Sequence, residues 1–326
     1  MNRFLSCALL ALAAAGAASP AAAQGEAYPS RPIALVVPFA AGNGIDQLAR
    51  ELAEVLRVQM NTTIVVENRE GAGGLIGGTM VSNAAPNGYT VMIAAHPPFA
   101  IAPQVQQVAA YDPVASFTPV IRLGSVPLVA VTASASPFKT WQEMAAYFKA
   151  NPDKANYAAS GVGSPGQLFT QMIKQATGLP MTEISYKSTA QAMTDVIAGV
   201  VQVSLVSVPA AAQHIKAGTL RPLAIGSTER LKAYPDLPTL AELIGQPDFE
   251  ASVWYGILVP AGTPADRVNK LHAEIAKAST SQRVVDFMAR SSITPQLQSP
   301  AAFAASIKND TAIARKMIAA ANIKQN

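Results

Sequence analysis

Cysteine is almost missing. Its single copy, Cys7, lies near the start of the chain. The rest of the chain can therefore hold no disulfide, thiolate nucleophile or cysteine metal site. Histidine is scarce as well: His96, His214 and His272 lie far apart, and none shows the H-x-x-x-H spacing of a metal-binding helix. Charged residues make up 13% of the chain and aromatics 6%. The basic residues form no run and no patch interleaved with aromatics, so no nucleic-acid partner is expected. The 24 Lys and Arg against 20 Asp and Glu leave a mildly basic surface, at most a weak attraction for an anionic solute. Past the N-terminus, no apolar run reaches the roughly 20 residues a membrane-spanning helix needs.

The N-terminus itself reads as a leader. Arg3 supplies a positive start, residues 4–18 are almost continuously apolar, and Ala21-Ala22-Ala23 before Gln24 has the small residues of a cleavage site. The apolar run is too short for a membrane span, so residues 1–23 are expected to be a signal peptide cleaved near Ala23. Cys7 would leave with it. The product is expected in the periplasm, with about 300 residues, enough for two domains without disulfides.

The rest of the chain repeats one unit. Residues 33–37 form a short apolar run of the buried-strand kind, stopped by Pro38 and followed by Gly42-Asn43-Gly44. Leu48, Leu52, Val55 and Leu56 then recur at helical spacing, with Asp46 in the first turn. Residues 62–68 and 90–95 predict two more strands around a glycine-rich turn and helix. The unit returns in the second half, with strands at 156–159, 183–186, 201–208 and 220–227, helices between them, and two helices near 264–278 and 300–321. Strand, glycine turn and helix in repetition predict an α/β fold with a doubly wound sheet in each of two lobes. In such sheets ligands sit beyond the carboxyl ends of the strands. The first lobe is expected to span 24–125 plus 251–326, and the second 126–250.

Gly161, Gly163 and Gly166 form a literal G-x-G-x-x-G, the spacing of a dinucleotide-binding turn. The context argues against NAD. The preceding strand is weak, the second strand ends in Tyr186-Lys187 where an acid should hold a ribose, and an exported protein meets little NAD. No cofactor is expected. Glycine turns before helices instead aim backbone N–H groups at one point, where the helix adds about half a positive charge. A carboxylate can be held there without Lys or Arg. Three turns qualify: residues 40–45, 71–75 and 160–166.

No catalytic set can be assembled. Ser164 lies in GVGSPG, which is not a nucleophile elbow, and the three histidines have no partners in the sequence pattern. His214 and His272 sit in helical patterns and are expected at the surface, whereas His96 follows a strand end at the expected cleft. An exported chain with two α/β lobes, anion-ready turns and no catalytic set reads as a solute-binding receptor, not an enzyme.

Eight stretches, in order, carry a family resemblance: YPSRPIALVVPFAAGNGIDQLAR, VVENREGAGGLIGG, APNGYTVMIA, YDPVASFTPV, YAASGVGSPGQL, YKSTAQAMTDVIAG, LRPLAIGSTERLKAYPDLPTLAE and WYGILVPAGTP. They resemble the Bug family, the extracytoplasmic receptors of tripartite tricarboxylate transporters, across essentially the whole mature chain. The resemblance implies a periplasmic-binding-protein-like fold whose lobes close on a small organic carboxylate by hinge motion. It also implies delivery to membrane permease subunits; a sensor kinase is an alternative partner, and a periplasmic enzyme the alternative class. By the same resemblance the first lobe contributes Phe39, Ala40, Ala41, Gly42, Asn43, Gly44, Ile45 and Asp46, with Ala95 and His96. The second contributes Ser160, Gly161, Gly163, Ser164, Tyr186, Ser188, Thr189, Ala190 and Gln191, with Asp195, Val206 and Ser207. The sequence departs from the family pattern at Ile45, where a threonine is usual, at Gln167, usually histidine, and at Ser188, usually glycine.

Overall fold

A computed structural model describes residues 28–96, 98–105, 111–160 and 164–320. The leader, its cleavage site, Gly161 and Gly163 lie outside the described residues. Ile33–Val37 forms β1, followed by α1 (Gly44–Gln59), β2 (Ile64–Asn68), α2 (Leu75–Ser82), β3 (Thr90–Ala95) and α3 (Pro98–Val105). A 17-residue strand, β4 (Phe117–Ala133), leads to α4 (Trp141–Ala150). The unit then repeats as β5 (Asn156–Ala159), α5 (Pro165–Thr177), β6 (Thr182–Ser185), α6 (Thr189–Ile197), β7 (Val203–Ser207), α7 (Val208–Lys216) and β8 (Leu220–Ile225). The chain ends with α8 (Leu240–Ile244), β9 (Ser252–Pro260), α9 (Ala265–Ser279), α10 (Gln282–Arg290), β10 (Thr294–Gln298) and α11 (Pro300–Ala320).

Each half holds the same parallel trio. In the first half β1 lies between β2 and β3, and in the second β5 lies between β6 and β7, all parallel. Parallel strands need helices on both faces, and both faces of each sheet are buried. Leu35 and Val37 of β1 join one core cluster while Val36 joins another; in the second sheet, Tyr157 and Ala159 face one cluster and Ala158 the other. α1 packs on the first sheet through Ile45, Leu48, Leu52 and Leu56. Complete burial of a leucine such as Leu48 contributes about 1.5–3 kcal/mol.

β4 joins the two sheets. Its residues up to Pro127 pair antiparallel with β9, while Leu128 onward pairs with β7 and β8. The switch is stitched by three backbone hydrogen bonds: Leu128 N–H to the Ala251 carbonyl (2.9 Å), Ala251 N–H to that of Gly226 (2.7 Å), and Gly226 N–H to that of Leu128 (2.7 Å). Only glycine fits at 226, where a Cβ would stand 2.1 Å from the Ala251 carbonyl oxygen. The β4–β9 ribbon is thus the covalent and hydrogen-bonded bridge between two lobes. After β9 come α9 and then α10, a helix that the sequence pattern does not predict.

Candidate functional site

Residues that follow β1, β5, β6 and β7 line one cavity of about 470 Å³. Gly44 opens α1; Pro165 and Gly166 open α5; Thr189 opens α6; Ser207 and Pro209 open α7. Four helix N-termini therefore meet there, one from the first lobe and three from the second. Each attracts a negative charge by about 0.3–1 kcal/mol when exposed and up to about 2 kcal/mol when partly buried. The floor is the β4–β9 ribbon, through Val126, Leu128, Val253 and Tyr255, with Ser291 and Ile293 beside it. Among the described residues, no lining side chain carries a charge.

The first turn is built around Asp46, which is 1% exposed. Its carboxylate accepts from the Gly42 N–H (2.8 Å), from both Arg50 nitrogens (3.0 Å each) and from Asn68 Nδ2 (2.9 Å). Burial pushes the carboxyl up, but the bonds from Arg50, Gly42 and Asn68 outweigh it and hold it below the usual range. Asn68 also donates to the Phe39 carbonyl (3.1 Å). Asn43 caps α1 by accepting from the Asp46 N–H (3.0 Å), and Gly42 takes a positive φ of 84° that favours glycine. Asp46 is thus the internal strut of the turn. Ile45 places its side chain in the core and offers the site its backbone only.

The second lobe supplies caps. Ser164 accepts from the Gln167 N–H and Ser188 from the Gln191 N–H, both at 3.3 Å. Ser207 holds the cap position of α7 without such a bond, leaving the first N–H groups of that helix for another acceptor. Gly166 lets α5 approach β7: a Cβ there would stand 2.4 Å from the Leu205 carbonyl oxygen. Gln167, 9% exposed, donates to Glu183 (2.9 Å), which also accepts from Tyr157 (2.8 Å) and Ser185 (2.7 Å). Burial raises the Glu183 carboxyl, but Ser185, Gln167 and Tyr157 together hold it low.

Among the expected residues, Gly44, Ser160, Thr189, Val206 and Ser207 line the cavity. Phe39, Ala40, Ala41, Gly42, Asn43, Ile45 and Asp46 build or flank its first turn. Ser164 and Ser188 cap α5 and α6, and Ala190 and Gln191 are exposed on the first turn of α6. Asp195 lies outside the lining and accepts from the Tyr186 hydroxyl at 2.7 Å. Burial, and secondarily this bond, push the Tyr186 phenol up to about 12. Ala95 is the buried end of β3.

His96 faces elsewhere. Its ring stacks on Trp254 (5.6 Å) and meets Phe169 edge-on (6.3 Å). These rings line a second cavity, of about 730 Å³, with Arg122, Glu250, Ser252 and Asp310. Alternate residues of a strand point to opposite faces, so Ser252 and Trp254 face this rear cavity while Val253 and Tyr255 face the first. The larger cavity has no helix N-terminus in its described lining, and two of its acids are engaged within it. Arg122 donates to Glu250 (2.8 Å) and Trp254 to Asp310 (2.8 Å). Burial lowers the His96 pKa, so the ring is neutral there. The smaller cavity is the candidate site. His272 is half-buried and bonds to the Val120 carbonyl (3.0 Å). No group of three or more metal-ligating side chains occurs among the described residues, and no described helix is long and apolar enough to cross a membrane.

The sequence reading missed Val126, Leu128, Val253, Tyr255, Ser291 and Ile293. Alternation along SVWYGILVP separates Val253 and Tyr255 from Trp254, but only the packing of the two lobes decides which face meets the smaller cavity.

The family profile described as "Tripartite tricarboxylate transporter family receptor" matches residues 48–323. Protein BugT of Bordetella pertussis is 35% identical over 301 residues, covering 92% of this chain and 91% of BugT. A TctC solute-binding protein from Polaromonas superposes with a TM-score of 0.80 at 30% identity, covering 89% and 99% of the two chains. The R. palustris protein Rpa4515, solved with adipate, superposes with a TM-score of 0.71 at 30% identity over 90% and 98%. With its paired lobes and its cleft of helix ends, the chain belongs to the Bug-type receptor family of tripartite tricarboxylate transporters, periplasmic solute-binding proteins for small carboxylates.

Proposed function

We propose that this protein captures a small organic carboxylate between its lobes and delivers it to the membrane permease of a tripartite tricarboxylate-type transporter. The lobes are assigned as residues 24–125 plus 251–326 and residues 126–250, in keeping with the change of strand partners at Pro127 and Leu128. The carrying observation is the convergence of four helix N-termini on one uncharged cavity. Such a cleft holds an anion by N–H groups and hydroxyls, and closing it exchanges water for those donors. The strut at Asp46 keeps the first turn in shape before ligand arrives, which lowers the ordering cost of binding. The adipate-bound relative supports a carboxylate as the ligand class.

Thermal unfolding with di- and tricarboxylates, acidic amino acids, aromatic acids and NAD tests the reading. A ligand at a hundred times its Kd stabilises by about 2.7 kcal/mol, a shift of several degrees. A shift with one acid is the expected result, and a shift with NAD alone would overturn it. Loss of uptake of that acid on deletion of the gene tests delivery to the permease.

A further inference from the structure

We infer that the rear cavity is a second binding site, one that takes a small organic amine in its cationic form. Its volume of about 730 Å³ lies in the usual range of small-molecule pockets. Three carboxylates line it, those of Asp248, Glu250 and Asp310, against the single guanidinium of Arg122. A carboxylate entering this space would meet three of its own kind, whereas a cation is attracted. The helix N-termini of the front cleft have the opposite preference, so the sign of the charge separates the two sites.

Hydrogen-bonding capacity is left over in the wall. His96 is 8% exposed, its ring lines the cavity, and neither ring nitrogen has a hydrogen-bond partner among the described residues. Glu250 accepts from Arg122 and Ser252 through Oε1 alone, and Asp310 accepts from Trp254 through Oδ2 alone. Each of these half-buried carboxylates therefore keeps a second oxygen without a partner among the described residues. Asp248, exposed where the cavity meets solvent, has none there either. Gln296 Oε1 is a further acceptor buried without a partner, against one such donor, Arg122 Nε. The wall is thus richer in free acceptors than in free donors. An ammonium brings three N–H donors and a positive charge.

The rest of the lining sets the body of the ligand. Phe169, Phe249 and the stacked pair His96 and Trp254 form an aromatic surface that covers hydrocarbon. A bare metal ion does not fit the arrangement, since no three metal-ligating side chains gather into a group among the described residues. Phe169 and Phe249 lie in the segment assigned to the second lobe, and His96, Trp254 and Asp310 in the first. An occupant therefore touches both lobes behind the ribbon.

Titration calorimetry of the natively purified protein with phenethylamine, and with 2-phenylethanol as its uncharged counterpart, tests the assignment. The amine is expected to bind with a Kd of about 1 mM or tighter, at least about tenfold tighter than the alcohol. Asp248→Asn combined with Asp310→Asn removes two charges yet leaves Trp254 an acceptor oxygen at 310, and should weaken the amine about tenfold. Fluorescence locates the binding. The chain has two tryptophans, so in a Trp141→Phe variant Trp254 alone reports, and its emission should change saturably with the Kd from calorimetry. No binding of the amine, equal binding of the alcohol, an unaffected double variant or a silent Trp254 each overturns the inference. Each of those results leaves the carboxylate receptor standing.

Discussion

The two faces of the β4–β9 ribbon are chemical opposites. The rear cavity is the larger and is lined by four charged side chains, Arg122, Asp248, Glu250 and Asp310, with neutral His96 among aromatic rings. The cleft on the other face holds none. In the rear cavity Arg122 of β4 is paired with Glu250, just before β9, and Trp254 of β9 is bonded to Asp310. The cleft offers partial charges at helix ends, with one N–H capped at each of α1, α5 and α6 and no side-chain cap bond at α7. A binding site for a small anion thus needs unsatisfied donors more than it needs volume or formal charge.

Breaking the rear network should give the largest stability effect and the smallest effect on binding. Arg122→Met removes a buried partner of Glu250, and loss of one member of such a pair costs about 3 kcal/mol or somewhat less where the survivor reaches water. Chemical denaturation should show that loss, with carboxylate affinity within about twofold of wild type. A large affinity loss without a stability loss would dissolve the contrast between the faces.

On the cleft side, Asp46→Ala removes the strut of the first turn. The expected cost is about 2 kcal/mol, because Arg50 is half exposed and its share is screened. Here affinity should fall at least about tenfold, since Gly42 and Asn68 lose their shared acceptor. Gly166→Ala sharpens the same side. Its new methyl meets the Leu205 carbonyl oxygen, pushing α5 off β7 at a cost of about 1–2 kcal/mol. Calorimetry should record weaker binding of the same ligand.

The smallest effect is in pH. Burial holds the His96 pKa below its ordinary value, so the unfolded chain takes up that proton first as pH falls. The contribution of neutral His96 is full above the unfolded pKa of about 6.5 and declines as pH drops below it. The melting temperature should fall gently from pH 7 to 5, and His96→Gln should flatten the slope. Carboxylate affinity, corrected for protonation of the ligand itself, should stay level over that window, because no acid or histidine lines the cleft among the described residues.

Much of the fold was legible because parallel βα units carry strong local signals. β1, β3 and β5 have the expected bounds, since β1 and β3 are short apolar runs that end close to proline and β5 ends before a glycine turn. The antiparallel elements were not legible in the same way. β4 contains Pro119, Gly124 and Pro127, residues that ordinarily argue against a central strand, yet its register shifts accommodate them. α10 follows α9 after only Thr280 and Ser281, too short a break to stand out by composition. Of the cavity lining, Gly44, Thr189 and Ser207 were expected from the family resemblance, whereas Pro165 and Pro209, which also open helices, were not.

By itself, the sequence determined the repeated α/β units, the glycine turns that open α1 and α5, and the scarcity of cysteine and histidine. Those follow from local backbone preference and side-chain chemistry, which act within a few residues. Only the tertiary structure decided that His96 turns to the rear, that Asp46 and Asp195 are already bonded, and that Val253 and Tyr255 floor the cleft. Those outcomes depend on which face of one ribbon meets which lobe, and that depends on contacts between residues far apart in the chain.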